Sequence, residues 1–327
     1  METIMRTQVL VVGSGPAGLS TAIELGRRGI QCLVVERNDR VGYAPRSKTT
    51  NIRTREHLRR WGIADRLRQR SPLGIEYPSH IVFSTRLNGH LLARIENAFY
   101  CHPARDDRYA EHAQWIPQYT LEEVLREYAE SLPGVQIRFQ HELTDFTSDG
   151  QGITAAVLDR RENVTRRVRC DYLVGADGAR SRVRDLIGAR MEGVATLSRN
   201  YNSVVHAPGL SRAHHFGPAI MYWQVNNELP ALIGPMDSGE RYFFMPTYVP
   251  EGMNMTPDQV PGQIYRATGI DLPYKVLSSD EWTASQLVAD CYRKGRAFLV
   301  GDACHLHPPF GGYGMNMGVA DGVDLGW

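Results

Sequence analysis

The sequence predicts an α/β protein with a Rossmann-like nucleotide-binding domain built from discontinuous segments. A second, mostly β domain is inserted into it. Three observations predict this. An apolar run at 8–12 leads into Gly13-Ser14-Gly15-Pro16-Ala17-Gly18 and then into a helical pattern. Two further apolar runs, 172–175 and 296–300, end on Ala176-Asp177-Gly178 and Gly301-Asp302. The stretches 73–103 and 190–285 show short strand-like alternation and little helical period.

Each element follows from its own residues. The run at 8–12 is apolar on both faces, as a parallel strand covered on both sides requires. A helix over 16–28 turns Leu19, Ala22, Ile23 and Leu25 inward, Gly29 ends it, and 31–36 is the second strand. Helices are expected at 53–61 and 63–70, with Gly62 as the break. Asn88-Gly89, between alternating stretches at 80–83 and 90–93, signals a hairpin. Thr120-Leu121-Glu122-Glu123 reads as a capping box opening a helix to about 131, closed by Pro133-Gly134. Strands are expected at 135–139, 143–147, 154–159, 164–170 and 172–175. Between 190 and 285 only 257–268 reads as helix; the rest reads as mixed or antiparallel sheet. The last helix starts near Gly312 and is still running at Trp327, so more chain is expected after it. The nucleotide-binding domain is thus placed at 1–72, 104–189 and 286–327, and the second domain at 73–103 and 190–285.

Composition narrows the function. With 327 residues, 42% of them hydrophobic, the chain can bury a large core. Lys plus Arg is 37 against 36 acidic residues, which argues against a dedicated nucleic-acid binder or a polybasic membrane anchor. Only Lys48, Lys275 and Lys294 are lysines. Five scattered cysteines without a CxxC point to a reducing, cytoplasmic setting. No apolar run approaches the ~20 residues of a membrane span. Residues 7–12 already read as a folded strand, so no cleaved leader is expected.

The glycine-rich turn carries the first chemistry. Gly13 permits the tight turn, Gly15 lets the backbone approach a pyrophosphate, and Gly18 lets the helix pack on the sheet. The helix N-terminus, opened by Pro16 and Ala17, then offers N–H donors to the anion. Glu36, 23 residues after Gly13, ends the second strand and suits the hydroxyls of an adenosine ribose. This fingerprint does not separate FAD from NAD.

The later motifs do. Asp177-Gly178 precedes Ser181-Arg182-Val183-Arg184, and Gly301-Asp302 precedes Pro308-Pro309-Phe310-Gly311-Gly312-Tyr313-Gly314-Met315-Asn316. With three motifs in this order the sequence resembles the FAD-dependent aromatic hydroxylases, the single-component class A flavoprotein monooxygenases, over essentially the whole chain. Their fold is an FAD-binding domain of the glutathione-reductase type. The resemblance implies that Gly13, Gly15, Pro16, Ala17, Gly18, Glu36 and Arg37 hold the ADP half of FAD. It assigns Asp177 and Gly178 to the pyrophosphate region and the pyridine nucleotide, and Gly301 and Asp302 to the ribityl chain. Gly311, Gly312, Gly314, Met315 and Asn316 would face the pyrimidine edge of the flavin, and Pro308 and Pro309 its reacting edge. Arg46 matches an arginine near the pyrophosphate, and Gln118 a glutamine on the ribityl or ribose hydroxyls. Tyr313 departs from the polar residue that many relatives carry.

The activity implied is hydroxylation of a phenolic or other aromatic substrate with O2, through a flavin C4a-hydroperoxide, with NAD(P)H as transient electron donor. A homodimer is implied at family level only, and the active site is expected between the domains. Tyr222 and His215 in the second domain are the residues expected to help ionise the phenol. The aromatic and sulfur residues at 220–250 alternate, with Met221 and Trp223 as one strand face and Tyr242 and Phe244 as another; alternation does not say which face meets substrate. Cys304, His305 and His307 offer metal-type ligands, but no distant ligand pair accompanies them, so no metal site is assigned. Alternative readings are a related epoxidase, halogenase or oxidase, or a non-catalytic FAD- or nucleotide-binding protein.

Overall fold

The computed structural model describes residues 4–39, 47–104, 106–250, 252–309 and 311–327. Among them the helices are α1 (Pro16–Arg27), α2 (Ile52–Trp61), α3 (Ala64–Gln69), α4 (Gln118–Glu130), α5 (Arg182–Ile187), α6 (Val260–Thr268) and α7 (Tyr313–Gly326). The chain forms two compact units. One comprises Met1–Tyr43, Leu121–Ala195 and Ser285–Trp327, the other Ala44–Thr120 and Thr196–Ala284.

The first unit is built on a six-stranded sheet. Its order is Arg293–Lys294, Ala297–Leu299, Tyr172–Gly175, Val9–Val12, Cys32–Glu36 and Val135–Phe139. All pairings are parallel except that of the Arg293–Lys294 edge strand. Every residue of Val9–Val12 is buried, because both faces are covered. Leu10, Val12, Leu33 and Val35 pack with Leu143, Ile153, Val157 and Val168 of a four-stranded sheet that includes His141–Ser148, Ile153–Asp159 and Val164–Cys170.

Helices α1 and α7 pack closely on each other. Glycines recur every fourth residue along α7, at 314, 318, 322 and 326. A Cβ on Gly322 would lie 2.4 Å from the Ala17 carbonyl oxygen, so only glycine admits this approach.

The second unit holds a sheet whose order includes Lys275–Ala289, Met191–His206, Arg241–Pro246, Ala231–Pro235, Met221–Gln224, Ile81–Ser84 and Leu91–Ile95. Met221–Gln224 pairs parallel to Ile81–Ser84, and its other neighbour is antiparallel. One face packs Tyr222, Ile233, Tyr242 and Phe244 against Val260, Ile264 and Ala267 of α6. The other carries Phe243, Leu232, Trp223, Met221 and Met245 with Trp115 and Cys101.

The unit boundaries differ from the sequence-based ones. Residues 44–72 and 104–120 fold with the second unit. The reason is packing: Ile52, Ala113, Trp115 and Tyr119 join the cluster around Ile220, Leu232 and Phe243, while a two-stranded ribbon, Thr49–Thr50 against Gln114–Trp115, and a buried ion pair tie the two segments to each other. Arg55, fully buried, donates to Glu111 Oε2 at 2.8 Å and to the Ala64 carbonyl at 2.8 Å. Such a pair binds distant segments because either charge alone is costly to bury.

Some local expectations shift. Thr120 lies inside α4, which begins two residues earlier at Gln118, so it is not the helix cap. Helix α6 begins at Val260 rather than 257. The strands around Asn88-Gly89 do pair antiparallel, but a six-residue loop over 85–90 joins them, and its Leu87 and Asn88 N–H groups donate to the Thr268 carbonyl. The short α5 was not expected. Ser181 caps it by accepting from the Arg184 N–H at 3.0 Å.

Candidate functional site

In the first unit, the sequence motifs meet at the carboxyl ends of the parallel strands, where open α/β sheets bind ligands. Gly13 follows Val12 with φ of +104°, and a Cβ there would lie 2.3 Å from the Ala176 carbonyl oxygen. A Cβ on Gly18 would lie 2.0 Å from the Gly13 carbonyl oxygen. These two glycines therefore close the turn against its neighbours. Gly15 differs: nothing lies within 4 Å of where its Cβ would be. It is the N-cap of α1, has no side-chain cap and is followed by Pro16. The helix N-terminus is thus left for an anion to satisfy.

Glu36 ends the neighbouring strand. Its Oε2 accepts from the Ser14 N–H at 3.0 Å and the Ser14 hydroxyl at 3.2 Å, and its Oε1 from the Asn38 N–H at 2.9 Å and the Asn38 amide at 2.8 Å. The two side-chain donors are exchangeable for ribose hydroxyls, while the two backbone donors hold the carboxylate at the turn. Arg37 is exposed beside an open polar recess with Asn38, Asp39, Gln140 and Arg160. Arg46 lies outside the described residues.

Asp177 is directed locally. It accepts from the Ser181 hydroxyl at 2.5 Å and the Val183 N–H at 3.1 Å. Burial raises its carboxyl above the usual range, against the lowering effect of these bonds. Gly178 follows with φ of +80°. Gly301 and Asp302 form a 3₁₀ turn after Ala297–Leu299, with Asp302 exposed.

A residue passed over in the sequence, Asp321 of α7, anchors this turn. Its Oδ2 accepts from the Gly301 N–H at 2.8 Å and lies 2.6 Å from His305 Nε2. Burial lowers the His305 pKa, but the Asp321 hydrogen bond and charge outweigh it and leave the imidazole raised. Asp321 is one of two acidic residues in a helix rich in glycine and apolar residues, which was the available signal. Cys304, His305 and Asp321 have donor atoms within 4.8 Å of one another, but these atoms already bond among themselves and to Gly301. Pro308 is half-buried and Pro309 exposed. Gly312 caps α7, with Gly314 and Met315 in its first turn; Gly311 precedes the cap, and Asn316 bonds back to the Gly312 carbonyl at 2.7 Å.

In the second unit, Gln118 opens α4, its N–H donating to the Ser47 carbonyl at 2.9 Å. The sheet separates the aromatic residues into two environments. Tyr222 is buried on the face beneath α6, and its hydroxyl donates to the Gly217 carbonyl at 2.6 Å. Burial raises its phenol well above the ordinary value. His215 is exposed and lies against Phe216; it is His214 that meets Tyr222, edge-on at 4.7 Å. Burial, with His215 adding to it, lowers His214 to about 4.

The opposite face is the one with half-buried aromatic and sulfur groups. Trp223 stacks on Phe83 at 5.9 Å, and Met221 and Met245 flank it. Phe243 meets Trp115 at 6.3 Å. The ammonium of Lys48 lies 4.1 Å from the Phe243 ring centroid, and burial lowers its pKa to about 8. The sequence reading did not single out Lys48, although the scarcity of lysine was an available signal.

The open glycine edge at Gly15, the uncapped helix and the acidic strand end fit a dinucleotide such as FAD. The sequence matches the FAD binding domain family over residues 6–327. It is 33% identical to a putative polyketide hydroxylase of Streptomyces halstedii, covering 100% of this chain and 59% of that protein. It is 33% identical to the tetracenomycin B2 monooxygenase-dioxygenase of Streptomyces olivaceus, covering 98% and 61%. Among solved structures, the flavin-dependent monooxygenase PieE in complex with FAD and substrate superposes with a TM-score of 0.90 at 32% identity, covering 99% of this chain and 57% of that one. The chain spans about three-fifths of the length of these relatives. Among the described residues, no helix is long and apolar enough to cross a membrane. The chain belongs to the FAD-binding domain family of the flavoprotein aromatic and polyketide hydroxylases.

Proposed function

We propose that this chain is the cofactor- and substrate-binding part of an FAD-dependent monooxygenase that hydroxylates a phenolic ring using NAD(P)H and O2. The net reaction places one oxygen of O2 in a ring C–H bond. The other leaves as water, formed with the hydride of NAD(P)H and one proton, and NAD(P)+ is released. FAD, when bound, supplies the electron transfer and the activation of oxygen.

The chain's own residues do the rest. The turn at Gly13–Gly18 and the N-terminus of α1 bind the pyrophosphate, and Glu36 orients the adenosine ribose. Asp177 and Asp321 hold their turns through local hydrogen bonds, so that the cofactor meets preorganised backbone. The observation that carries the reading is the half-buried aromatic and sulfur face of the second unit, carrying Phe83, Trp223, Met221 and Met245, in the same chain as a dinucleotide cradle. Such a face offers a flat ring stacking and dispersion while limiting water around it. Tyr222 and His215 are not used in this reading, since Tyr222 is spent on a backbone carbonyl beneath α6 and His215 stands in solvent.

The test is NAD(P)H consumption by the FAD-loaded full-length protein with a panel of phenols under labelled O2. A productive phenol should accelerate NAD(P)H oxidation and gain one labelled oxygen. Flavin reduction yielding only hydrogen peroxide with every phenol, or no reduction at all, refutes the proposal.

A further inference from the structure

Two turns of the cofactor site in the first unit hang on one half-buried side chain that is not among the expected site residues. Arg184 lies in α5, and its backbone N–H donates to the Ser181 hydroxyl that caps this helix. Its guanidinium is a fork with one arm on each turn. Nη2 donates to the Ala179 carbonyl at 3.0 Å, directly after Asp177-Gly178. Nη1 donates to the Ala303 carbonyl at 3.3 Å, directly after Gly301-Asp302.

The second contact completes the 3₁₀ turn. Ala303 is fully buried, and a buried carbonyl left without a donor costs free energy. The carbonyls on either side are already engaged. That of Gly301 accepts from the Cys304 N–H at 2.9 Å, and that of Cys304 from the Ala289 N–H at 2.7 Å. Asp321 holds the turn by the Gly301 N–H, and Arg184 holds it by the Ala303 carbonyl. Asp302 stands exposed between these two anchors.

The first contact joins this turn to the other one. Asp177 fixes the start of α5 by accepting from the Ser181 hydroxyl and the Val183 N–H. A shift of 177–179 therefore moves the base of Arg184 and the Ala179 carbonyl together, and the other arm of the fork passes that shift to 301–303. A planar guanidinium offers two donors at a fixed separation, whereas an ammonium is a single point charge on a flexible stem.

We propose that Arg184 is a positioning residue of the cofactor site, fixing the spacing between the 177–179 and 301–303 turns so that both meet one FAD. It acts through backbone carbonyls and not by contact with the flavin. This rests on the reading that both turns face FAD.

The test uses the full-length protein and follows FAD affinity by flavin fluorescence, with melting of the FAD-free protein measured separately. Arg184→Met keeps the aliphatic bulk and loses both donors, so it should bind FAD at least ~10-fold more weakly. Arg184→Lys reaches one carbonyl, so it should recover the melting temperature but only part of the affinity. Coupling is the readout that a packing role would not move. Ser181→Ala loosens the first turn and Asp321→Asn the second. With Arg184 present, their combined effect on FAD affinity should differ from the product of the single effects by at least ~3-fold. In Arg184→Met the two effects should simply multiply. If Arg184→Met does not fold, the coupling is read in Arg184→Lys, where it should likewise be lost. Unchanged FAD affinity in Arg184→Met overturns the proposal, as does full affinity in Arg184→Lys. Effects that multiply in the wild type, or coupling that survives without Arg184, overturn it as well. A wild type that takes up no FAD refutes the reading of the two turns, and the proposal with it.

Discussion

Replacing Lys48 with methionine should stabilise the protein at neutral pH, and the gain should fade as pH rises. The side chain is desolvated without an ionic partner among the described residues, and burial lowers its pKa from 10.5 to about 8. The unfolded chain then binds the proton more tightly than the folded one, so the burial penalty is fully present below pH 8. It is relieved between pH 8 and 10.5, where the folded form sheds the proton first. At ~1.4 kcal/mol per pH unit the penalty is about 3 kcal/mol. Contact with Phe243 returns about 1–2 kcal/mol, leaving a net gain of about 1–2 kcal/mol for the variant. The assay is urea unfolding of FAD-loaded wild type and Lys48→Met at neutral pH and again near pH 10. Groups common to both proteins cancel in the difference. The variant should lead at neutral pH, and its advantage should fall by about 1 kcal/mol at the higher pH, because the contact of the charge with Phe243 is lost together with the burial penalty. A variant less stable at neutral pH, or a gap that stays constant or widens with pH, would refute the reasoning.

Alanine at two neighbouring glycines should separate folding from cofactor binding. Gly13→Ala forces a Cβ to 2.3 Å from the Ala176 carbonyl at φ of +104°, and should cost more than ~3 kcal/mol in a melting experiment. Gly15→Ala meets no atom within 4 Å, so it should melt like the wild type yet bind FAD at least ~10-fold more weakly by flavin fluorescence. Asp321→Asn should remove the stabilisation that comes with a raised His305 pKa. That stabilisation is complete below the ordinary histidine value of 6.5 and is lost as pH rises through the raised folded value, so the melting gap between wild type and variant should be widest in acid. A gap independent of pH would remove His305 from the account.

The nucleotide cradle was legible because its signals are local. Val9–Val12 is apolar at every position, and the turn that follows needs glycines within six residues of one another. Asp177 and Asp321 show the limit of motif reading. Both serve their turns through hydrogen bonds, but only Asp177 sits in a recognised pair with glycine, while Asp321 acts from 20 residues beyond the Gly301 that it holds. The unit boundary was illegible for a related reason. Trp115 packs against Phe243, and Ile52 joins the same cluster, across more than a hundred residues of chain. No window of sequence contains both partners.

The substrate face was half legible, and the missing half changes the chemistry assigned to it. Period-two alternation separates Met221 and Trp223 from Tyr222, but the two sets are equally apolar, so the pattern alone is symmetric. Helix α6 breaks that symmetry by covering Tyr222, Tyr242 and Phe244. Tyr222 then spends its hydroxyl on Gly217, and the face opposite falls to Trp223, Phe243 and Met245. Once that choice is made, a residue with no periodic signal becomes informative. Lys48 is one of three lysines, distant in sequence from the strands it meets, and its ammonium rests over Phe243 on the face opposite α6. A tyrosine sealed beneath a helix has no route to a substrate, whereas Phe83, Met221, Trp223 and Met245 stay half-buried on the opposite face. The chemical argument therefore follows from which side of one sheet a nine-residue helix covers.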